Sequence, residues 1–197
     1  MLRPSPTLAR NDFGLNDGWR SNAESEGRPF KPVRFGIGLN SGECCVGNLG
    51  SLRRFDYSAI GDEVNVASRL EGACKIFEVD IIGSETVRSE APDFAWLEID
   101  SVLVKGKTRP VGLYALAGDS GVAASDEFAD LSRLHATMLA AYRNRDFAGA
   151  ISMAKEASAR APIAVRGLYN YNLRRFTQLA DTAQDPDWRP LIALDEK

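Results

Sequence analysis

The sequence predicts an α+β fold in which short strands gather around one amphipathic helix and a small helical unit follows. Three observations predict it. Apolar residues alternate with small or polar ones over 33–39, and short apolar runs recur at 55–60, 79–82, 94–100, 102–105 and 111–116 as strand patterns. Val66, Leu70, Ala73 and Phe77 recur at helical spacing. From Gly118 a linker rich in Gly, Ser and Ala opens a stretch that keeps the helical period to about Ala180.

In chain order, residues 1–32 form a poorly structured lead-in, because Pro4, Pro6, Gly14, Gly18, Gly27, Pro29 and Pro32 interrupt any period. Leu15 and Trp19 nevertheless sit at helical spacing. In the strand at 33–39, Gly36 and Gly38 predict that another backbone passes close by. Gly42, Gly47 and Gly50 then surround Cys44, Cys45 and Val46 as in a glycine-rich hairpin, and the chain turns over 49–53 into the strand at 55–60.

Gly61 reads as the next turn, Asp62 as a helix N-cap and Glu63 as an anion in the first helical turn, where the dipole favours it. The helix buries the stripe Val66, Leu70, Ala73 and Phe77 and carries Asn65 and Arg69 four residues apart on the neighbouring face. Asparagine inside a helix costs roughly half a kcal/mol relative to alanine, so its place beside a buried stripe asks for a reason. Arginine offers one, since its planar, permanent charge suits phosphate oxygens. The same pair also suits a solvated face with a hydrogen bond between residues four apart, and both readings stand on the residues alone.

Residues 79–82 form a short buried strand, and Ser84 with Thr86 opens a helical turn through Glu90 that Pro92 stops. Strands at 94–100, 102–105 and 111–116 follow, the last two joined by a turn over 106–110. Residues 118–125 are a linker and 126–197 a helical extension. Its stripes are Phe128, Leu131, Leu134, Met138, Ala141 and Tyr142; then Phe147, Ala150, Ile151 and Ala154; then Leu168, Tyr171, Leu173 and Phe176. The AYRNRDFAGAI hinge resembles a tetratricopeptide-like helix pair, and one pair is too few for a solenoid, so the extension is expected to pack on the preceding sheet. His135 is the one histidine, and no carboxylate or cysteine is arranged around it, which makes it a packing residue.

Composition excludes several classes. A net charge of −3 with no basic stripe argues against a nucleic-acid partner. Three cysteines, two of them adjacent, make neither a disulfide framework nor a metal spacing, which suits a reducing cytosol and small core positions. No run approaches the roughly 18 apolar residues of a membrane span, so a cytoplasmic protein is expected. GIGLNSG fails as a dinucleotide fingerprint because its spacing is wrong and a strand follows it. Gly106, Lys107 and Thr108 fail as a phosphate loop because Ser101 stands where the leading glycine belongs.

FGIGLNSGECCVGNLGS at 35–51, RFDYSAIGDEVNVASRLE at 54–71 and VKGKTRPVGLYAL at 104–116 appear in the order of a known family. Residues 35–116 resemble the C-terminal half of a class III nucleotidyl cyclase domain, the adenylyl and guanylyl cyclase family. The resemblance implies a partial ferredoxin-like cyclase domain over 33–117. It also implies that the helical tail, with Asp185 to Trp188, is similar to the extension after cyclase domains of bacterial sensor cyclases.

Family chemistry joins the ribose 3′-hydroxyl of ATP or GTP to the α-phosphate and expels pyrophosphate. By motif position, Arg69 matches the arginine that stabilises the α-phosphoryl group, Asn65 the asparagine that orients the ribose, and Lys105 the lysine that holds the terminal phosphates. Ser58 falls at the base-selecting position, where serine leans toward adenine. Mg²⁺ or Mn²⁺ is the implied cofactor, and the family's two metal-binding aspartates lie in an N-terminal half with no counterpart in residues 1–32. The chain alone is therefore expected to be inactive, its metal ligands coming from another cyclase subunit, and its remaining strands to keep uncovered apolar faces. Two readings stay open at this point: an adenylate cyclase part that makes 3′,5′-cyclic AMP, or a non-catalytic module that pairs with a complete cyclase.

Overall fold

The computed structural model describes residues 15–51, 54–104, 111–182, 188–190 and 192–194. Helix α1 (Leu15–Ser25) realises the spacing of Leu15 and Trp19 inside the stretch read as a lead-in. Its Asn16 side chain donates to the Val33 carbonyl and accepts from the Val33 amide, both at 2.8 Å, which ties α1 to the chain entering β1 (Ile37–Leu39). Strands β2 (Cys45–Ser51) and β3 (Arg54–Ile60) pair antiparallel as a separate hairpin. After α2 (Asp62–Phe77) come β4 (Ile81–Ser84), α3 (Glu85–Glu90), β5 (Ala95–Val104) and β6 (Val111–Gly118). The main sheet has the order β1-β4-β6-β5-β7, in which β7 (Ile192–Leu194) arrives from the far end of the chain. Its outer pairings, β1 with β4 and β5 with β7, are parallel, and its inner ones are antiparallel.

The stripe read from the sequence is the buried face of α2: Val66, Leu70, Ala73 and Phe77 are all buried, and Cys74 joins them. The helix lies flush on β1 because β1 presents glycine. A Cβ on Gly38 would stand 2.1 Å from the Ala67 carbonyl oxygen and 2.4 Å from the Glu71 nitrogen, so the two backbones touch where a side chain would separate them. Gly38→Ala should therefore lower stability by about 1–3 kcal/mol, the usual cost of overpacking, measured as a shift in the urea midpoint at constant slope.

Several elements differ from expectation. Gly61 is the N-cap of α2, without a side-chain cap, and Asp62 is already the first helical residue. Both still place an acid at the positive end of the helix. The strands expected at 94–100 and 102–105 are one strand, β5, with a register irregularity between Glu98 and Asp100. Ser101 falls between the two expected strands, yet its amide donates to the Asp100 carboxylate at 2.8 Å and the strand continues through it. Cys44 and Cys45 are exposed on the hairpin, and only Cys74 is a core residue. The stretch read as a linker contains a helical turn, α4 (Ser120–Ala123), capped by Asp119, which accepts from the amides of Gly121 and Val122.

The extension is built from α5 (Asp126–Arg143), α6 (Phe147–Arg160) and α7 (Ile163–Ala180), which pack in succession. Ser125 caps α5 and Asp146 caps α6 by accepting from the amides of Phe128 and Gly149. These helices share one continuous core with α2 and the sheet. Helix α7 crosses the end of α2 so closely that a Cβ on Gly167 would lie 2.1 Å from the Glu78 carbonyl oxygen. Phe77 meets Tyr171 edge-on at 5.0 Å, and Arg174 pairs with Glu78. At the opposite margin, Val33, Phe35, Ile37 and Leu39 are each about 40% exposed, and β1 has a strand on one side only among the described residues.

Candidate active site

The hairpin, Gly61 and the first turns of α2 place three of the four residues singled out in the sequence. Ser58 lies on β3 opposite Gly47 of β2, so no side chain faces its hydroxyl across the ladder, and Ser58 is exposed. Two residues past Ser58 the strand ends, Gly61 turns the chain, and its carbonyl accepts from the amides of Val64 and Asn65 to start α2. Asn65 is exposed in that first stretch of helix, and Arg69 follows one turn later, half-buried on the same side. Lys105 lies outside the described residues; β5 is described up to Val104. Of the tail element at 185–188, only Trp188 is described.

A second set of residues, missed in the sequence, fixes this corner. Asn40, directly after β1, donates from Nδ2 to Glu63 Oε2 at 2.7 Å and to the Glu63 carbonyl at 3.0 Å. A Cβ on Gly42 would stand 2.5 Å from the Glu63 side chain, so the glycine leaves the room that Glu63 occupies. The signal was present as an asparagine and a glycine at the strand exit with a glutamate in the facing first helical turn. The clamp ties the exit of β1 to the start of α2, the helix that carries Asn65 and Arg69.

The chemistry available here is polar recognition backed by a fixed positive charge. Arginine supplies a planar fork for phosphate oxygens, asparagine both a donor and an acceptor for a sugar hydroxyl, and serine a hydroxyl that donates or accepts. Beneath them Cys74 is no nucleophile: burial pushes its thiol up to about 11, and its Sγ donates to the carbonyls of Leu70 and Ile37. Among the described residues no group of three or more His, Cys, Asp or Glu is placed to hold a metal ion, so the described side chains do not fit a resident metal. No helix among them is long and apolar enough to cross a membrane.

His135 stands apart from this corner, buried between α5 and β5. Its Nε2 is 2.7 Å from the Glu98 carbonyl oxygen, which can only accept, so Nε2 carries the proton and Nδ1 accepts from the Tyr169 hydroxyl at 3.1 Å. Burial lowers its pKa, outweighing the Glu98 carbonyl that favours the charged form, and Arg143 lowers it further. With the folded pKa below the unfolded value of about 6.5, the unfolded chain takes up the proton first as pH falls. Stability is therefore full above that value and declines below it, by at most about 1.4 kcal/mol per pH unit from this group. Urea midpoints at pH 7.5 and pH 5.5 should show the decline in the unaltered chain and a shallower one in His135→Gln.

The model for the adenylate and guanylate cyclase catalytic domain matches residues 12–118, more than half of the chain, and the chain belongs to that family. The match begins within the stretch read as a lead-in and takes in α1. Among curated relatives, the terminal-differentiation-specific adenylate cyclase of Dictyostelium discoideum is 36% identical over 89 residues, 43% of this chain and 4% of that protein. Adenylate cyclase 1 of Rhizobium meliloti is 32% identical over 103 residues, 52% of this chain and 15% of that protein. The chain thus spans a small part of the length of these relatives. Among solved structures, the adenylyl cyclase CyaB from P. aeruginosa aligns with 31% identity and a TM-score of 0.42, covering 53% of this chain and 55% of that one.

Proposed function

We propose that this chain supplies the asparagine, arginine and lysine side of an adenylate cyclase active site that forms 3′,5′-cyclic AMP and pyrophosphate from ATP. The observation that carries this reading is the placement of Asn65 and Arg69 one turn apart on α2, directly after the β3 strand that bears Ser58, inside the region matched by the family. In the reaction a bond forms between the ribose O3′ and the α-phosphorus, the bond from that phosphorus to the bridging oxygen breaks, and pyrophosphate leaves. Arg69 meets the charge that builds on the α-phosphoryl oxygens, and Asn65 holds the ribose so that its 3′-oxygen stands in line. Ser58 reads the adenine edge, and Lys105 holds the terminal phosphates.

The carboxylates that would bind Mg²⁺ or Mn²⁺ belong, in this reading, to a second cyclase subunit, and the site completes itself on dimerisation in the cytoplasm. The names of the relatives support ATP as substrate. The exposed apolar residues of the hairpin, Val46, Tyr57 and Ile60, offer a surface for such a subunit. The test is cyclic AMP formation from ATP with Mg²⁺ or Mn²⁺, by the chain alone and mixed with a complete cyclase carrying alanine in place of its own transition-state arginine. Activity in the mixture alone supports the reading. Silence in both rejects it, and activity from the chain alone rejects the second subunit as the source of the metal ligands.

A further inference from the structure

We propose that Cys45 is a site of reversible thiol modification, where exchange with a low-molecular-weight disulfide such as glutathione disulfide leaves a mixed disulfide that covers Ser58 and silences the site. The proposal rests on the assignment of Ser58 to the adenine edge. The strand register brings the two residues together. Cys45 opens β2 directly opposite Ile60, and Gly47 stands opposite Ser58. Residues two apart on a strand share a face, as do partners directly opposite, so Cys45, Ile60, Gly47 and Ser58 lie on one face of the hairpin. Cys45 and Ser58 are diagonal neighbours on that face, about 7–8 Å apart. Beside them Gly47 has no side chain, and a Cβ built on it would meet nothing within 4 Å among the described residues. An adduct on Cys45 therefore has open ground in front of the Ser58 hydroxyl. It also lies against Ile60, 55% exposed, on the surface offered to a second subunit.

Access separates the three thiols. Cys44 and Cys45 are exposed, whereas Cys74 is buried, donates to the Leu70 and Ile37 carbonyls and has its thiol pushed up to about 11 by burial. The thiolate is the form that attacks a disulfide, so Cys74 stays inert and the hairpin thiols carry the chemistry. The two neighbours are poorly placed to oxidise each other. The peptide joining them is trans, which sets their Cα atoms about 3.8 Å apart, short of the roughly 4.4–6.8 Å that a disulfide spans. Cys44 backs onto the turn into α2, where a Cβ on Gly61 would stand 3.4 Å from its Cα and Cβ, and Cys45 is the thiol on the Ser58 face. In the exchange the Cys45 thiolate attacks one sulfur of the small disulfide. A new S–S bond forms as the old one breaks, and the other half leaves as a thiolate that takes up a proton. Cys45 is oxidised, that half is reduced, and an added thiol reverses both.

The test incubates the chain alone with excess glutathione disulfide at pH 8 and maps the adducts by peptide mass spectrometry. The reagent is then removed and the chain is mixed with the complete cyclase that carries alanine in place of its transition-state arginine. Cys45 should carry the adduct and Cys74 none. Cyclic AMP formation should fall in proportion to the fraction of Cys45 modified, and dithiothreitol should return it. Cys44→Ser should be as sensitive as the unaltered chain, whereas Cys45→Ser and Cys45→Ala should be insensitive, each treated sample being compared with its own untreated control. Absence of an adduct on Cys45, a modified chain that keeps its rate, or Cys45 variants as sensitive as the unaltered chain would overturn the proposal. A mixture that makes no cyclic AMP before treatment strikes at the cyclase reading, and the adduct map on the chain alone still decides whether Cys45 is the thiol that exchanges.

Discussion

Arg69→Ala in this chain should abolish cyclic AMP formation by the complemented mixture, lowering the rate at least about 100-fold, the order lost when one preorganised group facing a developing oxyanion is removed. The size follows from where charge builds. The α-phosphoryl oxygens gain negative charge as the ribose oxygen approaches and pyrophosphate departs, and a guanidinium already fixed on α2 meets that charge without reorganising. Arg69→Lys should recover little, since an ammonium offers one point of contact where the fork offers two. Loss through misfolding is separable by a stability measurement on the variant, since Arg69 is half-buried and not a core residue. Thermal melts of Arg69→Ala show whether the variant is folded. A folded Arg69→Ala that still supports cyclic AMP formation would remove Arg69 from the reaction.

The fold was legible where one element decides its own structure and illegible where a neighbour decides it. Helix α2 was readable because Val66, Leu70, Ala73 and Phe77 repeat at the helical period and all four are buried. Gly36 and Gly38 announced the contact that the exposed edge strand β1 makes with α2. The three long helices of the extension announced themselves in the same way, by apolar stripes bounded at Ser125 and Asp146. Strand β7 carried no such signal. Three residues have too short a period to read, and Ile192–Leu194 is a strand because β5 offers it an edge and Trp188 brings it there. The unity of β5 was hidden for a related reason. Polar Ser101 separates the two apolar runs, and only the arrival of Arg175 and Tyr142 from helices 75 and 42 residues on makes the neighbouring Asp100 a buried position. In the candidate site, Ser58, Asn65 and Arg69 were named from motif order, whereas the clamp of Asn40 on Glu63 depends on a strand exit meeting a helix start 23 residues later.

The buried pair of Asp100 and Arg175 should give the largest stability effect in the molecule. Asp100 has a side-chain exposure of 2% and Arg175 of 18%, and the carboxylate accepts from the guanidinium at 2.7 Å. Arg175 also donates to the Tyr142 hydroxyl and lies 4.8 Å from the centre of that ring, so α5, α7 and β5 meet at one polar knot. Asp100→Ala strands a guanidinium in a largely dry interior, and removal of one partner from such a pair costs about 3–5 kcal/mol. Against a total stability of about 5–15 kcal/mol this should bring the chain near the edge of folding, visible as a collapse of the urea midpoint. The gross attraction of the pair is offset by the cost of taking two charges out of water. Replacing all three polar groups together, Asp100→Leu with Arg175→Met and Tyr142→Phe, should therefore recover most of the loss. A cost below about 1 kcal/mol for Asp100→Ala would place the pair with solvent-screened surface bridges and remove it as the lock between sheet and extension. If instead the single change is severe and the triple change mild, the knot contributes registry more than net stability. Helices α5 and α7 then share a polar knot on β5, four residues before the end of that strand at Val104.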